Sequence, residues 1–289
     1  MTVGDQAEHL REYVRRHHQR ARVLAVTSGK GGVGKTGISV NLGIALAARG
    51  QRVVVLDADL GLANVEVLLG LNSLYNLQHV VEGGKELVDI LVEGPGGIKV
   101  IPGSSGLAKI ADLGPEERAN LLDGLQQLQE ITDFIIIDTM AGLGQNAIAF
   151  ASAADEVLVV STPEPSSIVD AYAVIKTLYQ KREDAVTSLV VNMAANKEQA
   201  LAVSTKLTTV TQKYLGRKLS YHGYVPRDPH VMQAVMQTYP FVLRYPSAAA
   251  SKSVQELAGR LVQQEAPVRD ERVSFFRRFA QTLGLASSA

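Results

Sequence analysis

Val23-Leu24-Ala25-Val26-Thr27-Ser28-Gly29-Lys30-Gly31-Gly32-Val33-Gly34-Lys35-Thr36-Gly37-Ile38 decides the fold. An apolar run, Val23–Val26, enters a glycine-rich loop. The loop opens a stretch with helical apolar spacing at Ile38, Leu42, Ala45 and Leu46. Gly29 to Thr36 matches G-x-x-x-x-G-K-[ST], the phosphate-binding loop, in the strand–loop–helix context that the motif requires. Glycines let backbone amides wrap phosphates without Cβ clashes. The helix N-terminus adds the positive end of a dipole. Lys35 is expected to reach the β- and γ-phosphates, and the Thr36 hydroxyl to ligate Mg²⁺. Gly29, Lys30, Gly31, Gly32, Val33, Gly34, Lys35, Thr36 and Gly37 are therefore the candidate ATP contacts.

Working outward, further apolar runs recur at Val53–Leu56, Ile98–Ile101, Phe134–Ile137, Val157–Val160 and Leu189–Val191, with a weaker one near Tyr221–Val225. Most are continuous Val/Ile/Leu runs, the pattern of strands buried on both faces. Helical spacing fills the intervals, as at Ala171, Ile175 and Leu178. The expected fold is α/β: three layers, with a mostly parallel central sheet and helices on both faces. One domain over 22–265 is expected, with an extension at 1–21 and a tail at 266–289.

Two carboxylates, Asp57 and Asp59, end the run Val53–Leu56, which puts them at the strand edge where α/β ligands bind. Asp138 ends the run Phe134–Ile137 and suits a Walker B carboxylate holding Mg²⁺. A second lysine, Lys30, stands at the front of the loop, giving KGGVGKT.

These residues resemble the deviant Walker A family, the MinD/ParA class of P-loop ATPases, over almost the whole chain. The resemblance implies a homodimer formed with ATP, in which Lys30 crosses to the other subunit's phosphates as a catalytic cation supplied in trans. It implies that Asp57 lies near Mg²⁺ and that Asp59 positions the attacking water. It also implies that Asn192 reads adenine while the Tyr224–Asp228 loop, with Pro226 and Arg227, closes over the base. An Asn after a strand is also a common turn residue. Met140 departs from the family, which usually has a small residue or proline there.

Four strings are similar to the flagellar-number regulators of the FlhG/FleN type. They are Asp5-Gln6-Ala7 with Leu10-Arg11, Glu164–Leu178, Tyr224–Val235 and the C-terminal RVSFFRRFAQTLG. The stretch Gly61–Gly70 resembles the MinD-like branch rather than plasmid ParA. The resemblance of the four strings implies control of flagellar number and placement. The implied partners are a flagellar transcriptional activator and an FlhF-like signal-recognition-type GTPase, the latter met by the front helix. A septum-site MinD or a ParA-type DNA-partitioning ATPase is the alternative.

The two ends keep two readings each. A helix is expected to start near Gln6, capped by Asp5 and Glu8, with the thin apolar stripe Ala7, Leu10 and Val14. It is either a frayed extension or a detachable helix that folds on a partner. In the tail, Val273, Phe276, Ala280 and Leu283 fall on one helical face, with Phe275 and Phe279 beside them and Arg269, Arg272, Arg277 and Arg278 around. That suits an anionic membrane surface; the other reading is a last helix packed in the core.

Composition excludes several classes. Lys+Arg and Asp+Glu are 29 each, and zero net charge argues against a broad electrostatic grip on nucleic acid. The absence of cysteine removes disulfides, thiolate zinc and iron–sulfur clusters. The polar front stretch lacks the apolar core of a signal peptide. The expectation is a cytoplasmic protein, peripherally membrane-associated when ATP-bound.

Overall fold

All seven apolar runs form strands of one eight-stranded sheet in the computed structural model, which describes residues 20–59, 64–103, 114–264 and 275–282. They are β1 (Arg22–Ser28), β2 (Val53–Ala58), β4 (Lys99–Ile101), β5 (Phe134–Ala141), β6 (Glu156–Ser161), β7 (Thr187–Ala194) and β8 (Ser220–Pro226). The eighth, β3 (Val92–Glu93), lacks an apolar run because it is a two-residue edge strand. The order is β3-β4-β2-β5-β1-β6-β7-β8, parallel except for β3 on β4. The front helix, Gly61–Ala63, Val273 and Leu283 lie outside the described residues.

The helices are α1 (Lys35–Ala47), α2 (Asn64–Leu69), α3 (Leu77–Val81), α4 (Pro115–Ile131), α5 (Gln145–Ala153), α6 (Pro165–Lys181), α7 (Lys197–Leu215), α8 (Pro229–Met236), α9 (Phe241–Arg244), α10 (Ala249–Gln263) and α11 (Phe275–Thr282). Strand side chains alternate between faces, so each continuous apolar run feeds two cores at once. Val23, Ala25, Val54, Leu56, Ile135 and Ile137 pack with Phe150 of α5, Ile175 of α6 and Leu207 of α7. Leu24, Val26, Val53, Val55 and Ile136 pack with Ile38 and Leu42 of α1 and with Leu257 and Leu261 of α10. This is the expected three-layer arrangement.

At the N-terminal edge of the strands, Arg22 is buried in an ion pair with Glu156. Its guanidinium also donates to the Leu261 carbonyl at 2.8 Å, and Ser188 Oγ donates to Glu156 Oε1 at 2.8 Å. Four separate elements are thereby tied together, opposite the ligand-binding edge.

The tail differs from its membrane reading at two residues. Phe275 and Phe279 are buried in the core that includes α5. The Phe279 ring stacks on Phe150 at a centroid distance of 4.2 Å. Arg278 Nε donates to the Ala153 carbonyl at 2.8 Å, and its guanidinium pairs with Asp155 at 2.8 Å. Residues four apart share a helix face, so this pair of rings docks as one unit. Burying each ring contributes roughly 2–3 kcal/mol, more than an exposed position offers. Phe279→Ala is expected to cost about 3–5 kcal/mol in chemical denaturation, because it leaves a cavity against Phe150. Gln281→Ala, on the exposed side of the same helix, should stay within about 0.5 kcal/mol of the parent.

Candidate nucleotide-binding site

Sheet register assembles the site. β5 lies between β1 and β2, and Asp138 is the register partner of Val26 on one side and Asp57 on the other. The two carboxylates therefore stand side by side on the face that α1 covers. The first turn of α1 meets them directly. Thr36 Oγ1 donates to Asp138 Oδ2 at 2.6 Å, and Ser39 Oγ donates to Asp138 Oδ1 at 2.9 Å. Sequence reasoning missed Ser39. The sequence offers only a weak sign, a serine one helical turn after Thr36 among apolar neighbours; the structure shows it buried.

Burial dominates the electrostatics. It pushes Asp138 up to about 6, against the hydrogen bonds from Thr36 and Ser39 and the charge of Lys35, which pull it down. It pushes Asp57 up to about 7, opposed by amide hydrogen bonds from Val65 and Asp59. Lys35 moves down, again from burial, while Asp138 and Asp59 pull it back up. Two carboxylates and a lysine are thus desolvated together. Polyphosphate would answer the lysine, and a divalent cation the carboxylates. Hydroxyl and carboxylate oxygens at hydrogen-bond distance from one another form a hard donor set that fits Mg²⁺.

Asp57 also shapes the loop that carries Asp59. Its two oxygens accept the amides of Asp59 and Val65, both at 3.0 Å. Asn64 Nδ2 donates to Asp59 Oδ2 at 2.7 Å. Asp59 is thereby held beside the start of α2.

Two glycines of the loop are required by contact. A Cβ at Gly29 would overlap the Asp170 backbone of α6. Gly34 has φ +87°, and a Cβ there would overlap the Asn192 side chain.

Lys30 turns its side chain toward α6. Its ammonium donates to Glu164 Oε2 at 2.7 Å and to Ser166 Oγ at 3.1 Å, at the start of α6. The hydrogen bond from Lys30 holds the Glu164 carboxyl below its ordinary value. Glu164 and Ser166 were noted in the sequence only as part of a family string.

On the other flank, Asn192 Nδ2 donates to the Val33 carbonyl at 2.8 Å. Pro226 is the register partner of Ala194, and the Arg227 amide donates to the Ala194 carbonyl at 2.8 Å. Asp228 caps α8 through the His230 amide and accepts the Ala250 amide of α10. Tyr224, Val225 and Pro226, expected in a loop, are instead the end of β8, held by its pairing with β7, so that only Arg227 and Asp228 lie in the turn beside the strand end that carries Asn192. Met140 is half-buried, yet the segment around it stays tied to β1. Thr139 Oγ1 donates to the Val26 carbonyl at 2.9 Å, and the Gly142 amide to the Ser28 carbonyl at 2.8 Å.

A family model described as ParA, NUBPL iron-transfer P-loop NTPase, matches residues 19–262. The chain belongs to this ParA/MinD family of P-loop NTPases. Antiactivator FleN of Pseudomonas aeruginosa is 42% identical over 83% of this chain and 86% of its own length. The flagellum site-determining protein YlxH of Helicobacter pylori is 34% identical over 91% of each chain. Among solved structures, the cell division ATPase MinD of Pyrococcus furiosus superposes with a TM-score of 0.69 at 25% identity, over 84% of this chain and 99% of that one. The chain is an ATPase of the MinD type that takes ATP with Mg²⁺, and its relatives favour flagellar regulation over septum placement or DNA partitioning. The iron-transfer part of the family description finds no thiolate ligand here, because the chain has no cysteine.

The raised carboxylates set a pH dependence. A carboxyl whose folded value exceeds its unfolded one stabilises the fold below the unfolded value, and that contribution is lost as pH rises through the folded value. For Asp138 the loss begins in the ordinary carboxylate range, near pH 4, and is complete once pH passes about 6. In ligand-free protein with chelator, the melting temperature of the parent minus that of Asp138→Asn should fall as pH rises from about 4 to about 7 and level off above that.

Proposed function

We propose that this ATPase is a nucleotide-gated switch that sets flagellar number and placement. The observation that carries the reading is the similarity to antiactivator FleN over most of the chain. The similarity to YlxH and the Asp5-Gln6-Ala7 and Leu10-Arg11 element support it.

In this reading the phosphates seat on the amides of Gly29–Thr36, with Lys35 against the terminal oxygens. Thr36 and Asp138 hold the Mg²⁺, with Asp57 behind them. Bound Mg²⁺ neutralises charge on the β- and γ-oxygens. Asp59 orients the attacking water. Lys30 exchanges Glu164 for the phosphates of a second copy, so that ATP closes a homodimer. Hydrolysis removes the γ-phosphate that the crossing lysine needs, and the dimer opens.

The dimer offers a surface to a flagellar transcriptional activator, while the front helix engages an FlhF-like GTPase. Membrane contact uses the face that spacing assigns to Val273, Phe276, Ala280 and Leu283, and leaves the docked Phe275 and Phe279 in place. Among the described residues no helix is long and apolar enough to cross a membrane.

Asp59→Ala is expected to retain ATP binding, to slow hydrolysis, and to accumulate dimer in light scattering with ATP but not with ADP. A monomer at saturating ATP analogue, in the parent and in Asp59→Ala alike, would sink the sandwich. A peptide of residues 1–20 should stimulate the partner GTPase without the ATPase domain, and Leu10→Asp in that peptide should remove the effect by placing an unpaired carboxylate in an apolar groove. A saturating peptide without effect would put septum placement ahead.

A further inference from the structure

We infer that Asn192 is a positioning residue that braces the phosphate loop, so that its substitution disturbs phosphate binding before it disturbs the choice of base. The inference rests on the nucleotide site described above and deepens it.

Three independent features meet at this residue. First, the carboxamide is committed at both ends. Nδ2 donates to the Val33 carbonyl at 2.8 Å, and Oδ1 accepts the Met193 amide at 2.9 Å. The two partners fix the orientation of the amide, since a carbonyl only accepts and a backbone N–H only donates. Second, the loop approaches so closely at Gly34 that a Cβ would overlap Asn192 Nδ2. Gly34 adopts φ +87°, and Lys35 follows it directly as the first residue of α1. Third, the strand end is distorted where Asn192 leaves it. Met193 takes φ +58°, a left-handed conformation that non-glycine residues rarely adopt, and the register between β7 and β8 shifts between Asn192 and Ala194. Backbone strain of this kind persists only where surrounding contacts over-determine it. Here those contacts run to the phosphate loop.

The consequence is geometric. Val33 and Gly34 immediately precede Lys35 and Thr36, whose side chains must meet the terminal phosphates and the cation. A hydrogen bond to the Val33 carbonyl, made from a buried side chain on β7, holds the loop at the step where it turns into α1. The amide keeps one further N–H and one further lone pair that a base could use. The brace is therefore compatible with base contact, and the experiment must separate the two.

Binding of Mg·ATP, Mg·GTP and the base-free ligand Mg·tripolyphosphate is measured by calorimetry on full-length parent, Asn192→Ala and Asn192→Leu, with steady-state ATP hydrolysis alongside. Asn192→Leu keeps size and zero charge but cannot donate to the Val33 carbonyl, so if the alanine variant folds poorly it answers the question without adding a charge that would itself repel phosphate. The brace predicts that both variants lose about tenfold in affinity for ATP and for tripolyphosphate alike, with the ATP:GTP preference unchanged. It also predicts a lower kcat at saturating ATP, because Lys35 and Thr36 are displaced. Loss of ATP affinity and of the ATP:GTP preference, with tripolyphosphate binding and kcat intact, would overturn the brace and make Asn192 a base reader alone. Unchanged affinity for all three ligands would overturn it too. A parent protein that binds neither ATP nor tripolyphosphate would overturn the nucleotide site itself, which is a different failure.

Discussion

Asp138 is the constraint around which the rest of the site is arranged. It is fully buried on the strand between β1 and β2, and both of its oxygens accept hydroxyl hydrogens from one turn of α1. Parallel register then dictates the neighbours. Val26, beside it, is two residues short of Ser28 and the loop, and Asp57, on its other side, anchors the loop to Asp59. Moving any of these strands by one residue would turn its side chains to the opposite face and scatter the carboxylates. The continuous apolar runs before Asp57 and Asp138 prevent that slip, because both faces are buried and each residue has a core to fill.

The chemistry follows from what that burial costs. Burial drives two carboxylates and a lysine toward their neutral forms, hydroxyl and amide hydrogen bonds and the attraction between Lys35 and Asp138 oppose it, and ligand charge completes the set. Such a cluster has to be rigid before the ligand arrives, or the binding energy goes into ordering it. The loop is accordingly held at two points. Gly29 lies against α6 with no room for a Cβ, and Val33–Gly34 lies against Asn192 on β7. At the opposite edge of the sheet, Arg22 and Glu156 join β1, β6, β7 and the end of α10, so the strands that carry the loop are tied at both ends.

Much of this was legible from residues alone, for a stated reason. The phosphate loop and the runs ending in Asp57 and Asp138 are local signals, each tied to its own strand, and parallel α/β architecture puts such ends on one edge. Contacts between distant segments were less legible. Ser39 was hidden because α1 reads as an apolar helix, and only the register of β5 shows what a serine there would meet. Glu164 and Ser166 lie more than a hundred residues from Lys30, and no spacing rule links them. β3 escaped because a two-residue edge strand has no pattern to show. In the tail, Phe275 with Phe279 and Phe276 with Ala280 define overlapping apolar stripes. Helical periodicity says that both exist, but not which one the domain takes. Phe150 and Asp155 decide that for Phe275, Arg278 and Phe279.

The two lysines of the loop then separate by solvent access. Lys35 is buried beside Asp138, which leaves it little freedom to move away from the loop. Lys30 is 41% exposed and paired with a Glu164 that is 61% exposed. Exposed pairs contribute little because water screens both charges and the long side chains lose freedom to meet. A polyphosphate carries several charges and, once enclosed between two subunits, lies in a poorer solvent, where each interaction is stronger. In the proposed dimer, the exchange of Glu164 for phosphate would therefore be governed by whether phosphate charge is present and enclosed, and little by the strength of the pair that is broken. A lysine in a weak exposed pair is held there, and can be drawn away, at small cost. That combination suits a switch whose state is to be set by the nucleotide and the second subunit together.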